Sequence, residues 1–168
     1  VADLNMDAAT ARAAEYDGVR ALSVDDLLAA DDIDLVLNLT IPAAHFAVTK
    51  RILEAGKHAY SEKPFVLTLE EGEELRRICD KTGLRVGSAP DTWMGGAHQA
   101  ARAAIDAGDL GRITSGTAHV LSPGMEMWHP NPDFFFVAGG GPMLDLGPYY
   151  VTNLIQLLGP VKRVVALT

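Results

Sequence analysis

The spacing of apolar positions along this chain switches repeatedly between the period of a strand and that of a helix. Ile33 to Leu39 is an apolar, β-branched and leucine run closed by Thr40-Ile41-Pro42, which predicts a buried strand. Phe46, Val48, Ile52 and Leu53 then recur at helical spacing between Ala43 and Ala55, and Gly56 is placed to end that helix. After the turn Gly56-Lys57, His58-Ala59-Tyr60-Ser61 is a short strand. Thr68-Leu69-Glu70-Glu71 has the Ser/Thr-x-x-Glu form of a capping box, opening a helix from about Leu69 to Lys81 that Gly83 stops. Leu84-Arg85-Val86-Gly87 is a further strand. Upstream, Val1-Ala2-Asp3 reads as the tail of a strand, Asp7 to Glu15 as an alanine-rich helix, and Ser23 as the cap of a short helix through Leu28. Strand and helix alternating with short loops predicts right-handed βαβ units and a parallel sheet covered on both faces.

The pattern changes after Pro90, which divides the chain into units 1–90 and 91–168. The second unit predicts a helix over Gln99 to Ala107, a strand of alternating faces over Ile113 to Val120, and a long irregular loop from Leu121 to Gly141. A loop of that length in a compact domain is usually functional. Pro142 to Leu158 follows as a helix-like stretch, and Val161 to Val165 begins another strand.

Composition narrows the partners. With 14 basic against 22 acidic residues the chain carries a net charge of −8, and no basic stripe exists to neutralise a phosphate backbone, so nucleic acid is excluded. No apolar run approaches the ~18 residues of a membrane span, and no leader pattern is seen, so the expectation is a soluble cytoplasmic protein. The single cysteine, Cys79, sits in a helical pattern as a small hydrophobe, and no disulfide can form within the chain.

Chemistry-bearing residues gather at two places. Glu62-Lys63-Pro64 closes the strand His58 to Ser61, and in open α/β sheets ligands bind at the carboxyl ends of strands. Asp145 and Tyr149, at helical i, i+4 spacing, share a face, although Pro148 requires that the helix begin near Asp145 or kink there. A tyrosine beside an ammonium is drawn toward phenolate, and Lys63 is the candidate to supply that charge. The long loop offers Trp128, His129 and Asn131, a polar and aromatic set suited to hydroxyl-rich ligands. His45 either faces bound ligand or is a polar residue of a first helical turn. No helical His-x-x-x-His or cysteine pair supports a metal site.

Three segments together carry a resemblance: Thr40 to His45, Ala55-Gly56-Lys57-His58 leading into Glu62-Lys63-Pro64, and Gly139-Gly140-Gly141 to Asp145-x-Gly147-x-Tyr149. At this spacing the chain resembles the Gfo/Idh/MocA family of oxidoreductases, typified by glucose–fructose oxidoreductase and inositol dehydrogenase. The resemblance implies part of a dinucleotide-binding Rossmann domain followed by part of an α+β domain with an open, mostly antiparallel sheet. It implies an NAD- or NADP-dependent dehydrogenase acting on CH-OH groups of sugar- or cyclitol-like substrates. Lys63 would contact nicotinamide ribose and substrate, the Lys63-Pro64 bond would be cis, Asp145 would orient the substrate, and Tyr149 would be the catalytic acid/base. Thr40, Pro42, His45, Glu62 and Pro64 fall on the cofactor side, and Trp128, His129 and Asn131 on the substrate side. Asp3 matches the acidic residue that binds adenosine ribose hydroxyls, favouring NAD over NADP. Full-length relatives are expected to pair as homo-oligomers through the open sheet.

Two departures from the family pattern stand out. The proline after the first strand is displaced by one position, as Thr40-Ile41-Pro42, and no Gly-x-Gly-x-x-Gly loop is present. The chain therefore reads as the interior of a longer enzyme, with weak or absent dinucleotide binding expected of this stretch alone. The competing expectation is a non-catalytic regulator that keeps the fold and senses nucleotide or sugar.

Overall fold

A computed structural model describes residues 1–137 and 139–167. Three parallel strands, β1 (Leu35–Asn38), β2 (His58–Ser61) and β3 (Val86–Ser88), form one sheet in the order β1-β2-β3. The register sets Asn38 beside Ser61 and Ser61 beside Ser88, so the three carboxyl ends form one edge. Upstream, α1 (Met6–Ala13) is capped by the Asn5 side chain and α2 (Val24–Ala29) by Ser23, and the first residues contribute an isolated parallel bridge, Ala2 to Leu22.

Helices α3 (Pro42–Glu54) and α4 (Leu69–Thr82) cover one face of the sheet. Ile52, Leu53, Ala59 and Leu75 are its fully buried centre, with Val36, Phe46, Ile78 and Val86 packed around them. The predicted capping box is formed: Thr68 Oγ1 accepts from the Glu71 N–H, and the Glu71 carboxylate accepts from the N–H groups of Leu67 and Thr68. Gly83 ends α4 in the left-handed region at φ 76°, where a Cβ is disfavoured.

The other face departs from the expectation. Leu35 and Leu37 are 52% and 58% exposed, because successive side chains of β1 point to opposite sides and only Val36 and Asn38 meet α3. The outward pair is therefore left about half exposed.

Beyond Pro90, α5 (Gly96–Ala107) packs on α7 (Gly147–Leu158), joined by Arg102, whose Nη1 donates to the Gln156 carbonyl at 2.7 Å, and by a 3.0 Å contact between His98 Nδ1 and Asn153 Oδ1. The helix-like stretch from Pro142 is two helices, α6 (Pro142–Asp145) and α7, broken at Leu146 as Pro148 requires. The strands expected over Ile113 to Val120 and Val161 to Val165 are not formed among the described residues, so an open antiparallel sheet is absent there. A strand's hydrogen bonds lie on its neighbours, and neither segment makes a backbone hydrogen bond among the described residues. Of the long loop, Met125–Met127 and Pro132–Phe136 wind into short 3₁₀ turns, and Ala138 lies outside the described residues.

Candidate active site

The sheet edge positions Lys63. Glu62 extends the β1–β2 ladder by donating its N–H to the Asn38 carbonyl at 2.9 Å, and the Lys63 N–H returns to the Glu62 carboxylate at 2.9 Å. The Lys63-Pro64 bond is cis. Lys63 Nζ then crosses to the second half of the chain, donating to the Asp145 carbonyl at 2.7 Å and pairing with the Asp145 carboxylate. The same ammonium stands over the Tyr149 ring, 5.4 Å from its centroid. Only 16% of the Lys63 side chain and 21% of the Asp145 side chain are exposed, so the pair is largely withdrawn from solvent.

Local sequence explains how Asp145 and Tyr149 arrive there. Gly141, at φ 87°, turns the chain into the single turn of α6 with Pro142 at its start. Leu146 breaks the helix, and the Tyr149 N–H donates to the Leu146 carbonyl at 3.1 Å, opening α7. Asp145 therefore ends one helix and Tyr149 begins the next, and Lys63 spans the break. The glycines before Asp145 also bring the long loop inward. A Cβ at Gly139 would stand 2.8 Å from Leu67 Cδ1, and one at Gly140 would collide with the backbone of Phe134 and Phe135. A cleft of about 410 Å³ adjoins this region, lined by Phe65, Ser88, Pro90, Trp93, Pro148 and Thr152.

The remaining predicted residues fall into three places. Thr40 is exposed at the end of β1, its N–H and hydroxyl both donating to Asn38 Oδ1 at 3.2 and 2.7 Å, and Pro42 starts α3. His45 is fully buried and does not face ligand: its Nδ1 lies 2.7 Å from the Pro64 carbonyl oxygen and its Nε2 2.8 Å from the Thr40 carbonyl oxygen. Direct contact with a cofactor is closed to this ring. Trp128 and His129 stack edge to face at 5.4 Å, His129 packs similarly against Phe134 and Phe135, and its Nδ1 accepts from the Asn131 N–H. Asp3 is exposed beside α1, with one carboxylate oxygen accepting from the Asn5 N–H at 2.8 Å.

Sequence reasoning missed the polar core beneath this edge. Asn38 is 2% exposed and saturated: Nδ2 donates to the His45 carbonyl and to Thr49 Oγ1, each at 3.0 Å, while Oδ1 accepts twice from Thr40. An asparagine inside an apolar strand run, with His45 and Thr49 at i, i+4, was the available signal. Ser61, fully buried beside Asn38, has no partner for its hydroxyl among the described residues. Tyr60 was also missed: burial first, then the carboxylates of Asp91 and Glu62, push its phenol above the usual range. Cys79 behaves as expected of a small hydrophobe, burial pushing its thiol up.

A parallel sheet with these residues at its carboxyl edge defines a Rossmann-like α/β protein. Residues 1–89 match the oxidoreductase family with an NAD-binding Rossmann fold, and residues 98–168 match the GFO/IDH/MocA C-terminal domain, so the chain belongs to the Gfo/Idh/MocA oxidoreductase family. Among curated relatives, 1,5-anhydro-D-fructose reductase of Ensifer adhaerens is 33% identical over 133 residues, covering 77% of this chain and 39% of the relative. The scyllo-inositol 2-dehydrogenase (NADP(+)) of Bacillus subtilis is 27% identical, covering 80% and 37%. Among solved structures, the WlbA dehydrogenase of Bordetella pertussis, in complex with NADH and UDP-GlcNAcA, superposes with a TM-score of 0.81 at 26% identity, covering 95% of this chain and 46% of that one. The chain thus spans less than half the length of these relatives.

Proposed function

We propose that the protein carrying this chain is an NAD(P)-dependent dehydrogenase that oxidises a CH-OH group of a sugar- or cyclitol-like substrate. The observation that supports this best is the convergence of Lys63, Asp145 and Tyr149 from two halves of the chain onto one sheltered point. The residues present fit a nicotinamide dinucleotide: the carboxyl edge of the parallel sheet exposes Thr40 and Ile41 after β1, and Glu62 and Lys63 continue the neighbouring strand β2. Lys63, Thr40 and Pro42 would hold it, with Asp3 reading the adenosine ribose, and such a group supplies the hydride acceptor. Tyr149 takes the hydroxyl proton of the carbinol as its C–H bond is broken, with the Lys63 ammonium standing over its ring. Asp145 orients the substrate hydroxyl and holds Lys63 in place. Trp128, His129 and Asn131 present stacking faces and polar groups to the sugar-like ligand. Copies of the complete protein would pair through the segments around residues 113–120 and 161–165.

Lys63→Ala in the polypeptide that carries this chain should lower kcat about a thousandfold, read as nicotinamide absorbance across a panel of sugars and polyols. Near-normal turnover by the variant would refute the role. Cofactor binding with no turnover on any substrate by the unaltered protein would instead support a regulator.

A further inference from the structure

From the placement of its ring between two backbone carbonyls, we propose that His45 is a positioning residue for Lys63. The inference deepens the reading above and rests on it. The imidazole sits at the carboxyl ends of two adjacent parallel strands, with Nδ1 2.7 Å from the Pro64 oxygen on the β2 side and Nε2 2.8 Å from the Thr40 oxygen on the β1 side. It is fully buried, and its backbone carbonyl accepts from Asn38 Nδ2 at 3.0 Å, which fixes the main chain that carries the ring, while the two carbonyl contacts and the surrounding packing fix the ring itself. A neutral ring has one N–H for the two oxygens, and that proton belongs on Nδ1 if His45 holds the segment that carries Lys63.

The backbone on either side of Lys63 is pinned independently. Before it, the Glu62 N–H is paired to the Asn38 carbonyl; after it, the Pro64 carbonyl meets His45. Pro64 has no N–H to contribute, so its carbonyl is the one polar backbone handle this residue offers. With both flanks fixed, the point from which the Lys63 stem leaves the main chain is set, and its ammonium reaches Asp145 and the Tyr149 ring. Asn38 serves both pins, through its carbonyl to Glu62 and its side chain to His45. Loosening of the Pro64 pin should therefore degrade the chemical step while leaving cofactor affinity nearly intact, because displacements near 1 Å at a reacting centre cost on the order of a hundredfold in rate.

The test compares His45→Asn with His45→Gln in the complete polypeptide, alongside His45→Ala. An asparagine amide reproduces the donor at the Nδ1 position and a glutamine amide that at Nε2. We expect His45→Ala to lower kcat by about tenfold to a hundredfold, His45→Asn to restore most of it, and His45→Gln to restore little. The cofactor Kd should stay within about threefold of the unaltered protein in all three. Equal effects of the asparagine and glutamine variants, or a glutamine variant better than the asparagine one, would overturn the inference, since a residue needed only for packing does not distinguish the two nitrogens. The comparison survives even if the alanine variant fails to fold. Lys63→Ala is run in parallel: retained turnover there defeats the functional reading itself, whereas loss there with an unaffected His45 series defeats only the positioning role.

Discussion

The two halves of this chain obey their sequence patterns to different degrees. In residues 1–90 three predicted strands pair and α3 and α4 pack on them, the expected strand at Val1-Ala2-Asp3 shrinking to a single bridge; among the described residues of 91–167 the helices form and the strands do not. The difference lies in where each element finds its hydrogen bonds. Helix α5 satisfies its backbone within twelve residues, from Gly96 to Ala107, and the left-handed Gly108 closes it. The segment Ile113 to Val120 has the right alternation, but its partners must come from elsewhere in a sheet. It runs instead against α7, where a Cβ at Gly116 would stand 3.2 Å from both Leu154 and Leu158. The buried apolar centre lies in the first half, with Ile52, Leu53, Ala59 and Leu75, whereas exposed leucines occur in both, Leu4 and Leu167 each being 97% exposed.

The sharpest break joins the halves. Asp145→Ala should reduce turnover about a thousandfold, and it leaves the Lys63 ammonium largely buried without its carboxylate, lowering stability by roughly 2–3 kcal/mol. Asp145→Asn keeps the shape and a side-chain oxygen that can accept from Lys63 Nζ but not the negative charge, so it should recover part of the stability without recovering activity; activity restored with it would contradict the proposed role. Next in size is the contrast within the cores. Leu75→Ala removes a side chain at the centre of the first half and should cost about 3 kcal/mol in denaturant unfolding. Leu167→Ala should stay within about 0.5 kcal/mol.

Most of this contrast was legible because the signals in the first half are local or short-range. Thr68 with Glu71 announces a helix start, Gly83 its end, and the runs around Leu35 and Ala59 their strands. Lys63, Asp145 and Tyr149 were also legible, though separated by about eighty positions, because the family pattern joins what spacing alone cannot. His45 was misplaced for the opposite reason. A histidine in the first turn after a strand looks like a ligand contact, and only three dimensions reveal that the Pro64 and Thr40 carbonyls claim both ring nitrogens. The exposed Leu35 and Leu37 were missed because an apolar run announces burial without saying what does the burying.

Smaller effects test whether the first half really is closed by local devices. Gly83→Ala places a Cβ in the left-handed region at φ 76° and should cost roughly 1–2 kcal/mol, although nothing stands within 4 Å of the added atom. A cost near zero would mean that α4 frays there and that packing on α3, not the cap, defines its end.

A weaker effect again concerns the ion pair that ties α3 to α4. Lys50 Nζ donates to Glu74 at 2.6 Å, and this hydrogen bond holds the Glu74 carboxyl below its usual range and Lys50 above its own. A depressed carboxyl stabilises the fold above its ordinary titration range and loses that contribution as pH falls through the lowered value; the raised ammonium loses its contribution as pH rises through the elevated one. Glu74→Gln should therefore lower Tm slightly across a plateau bounded by about pH 4 and pH 10.5, with the gap to the unaltered protein closing at both ends and shrinking with added salt. Asp106→Asn, by contrast, removes a pair lying within α5, and Arg102 keeps its bond to the Gln156 carbonyl of α7. Its effect should be smaller still, since a bond inside one helix joins nothing that the helix backbone has not already joined. Equal Tm losses for the two variants would show that Lys50 and Glu74 do not couple the helices they connect.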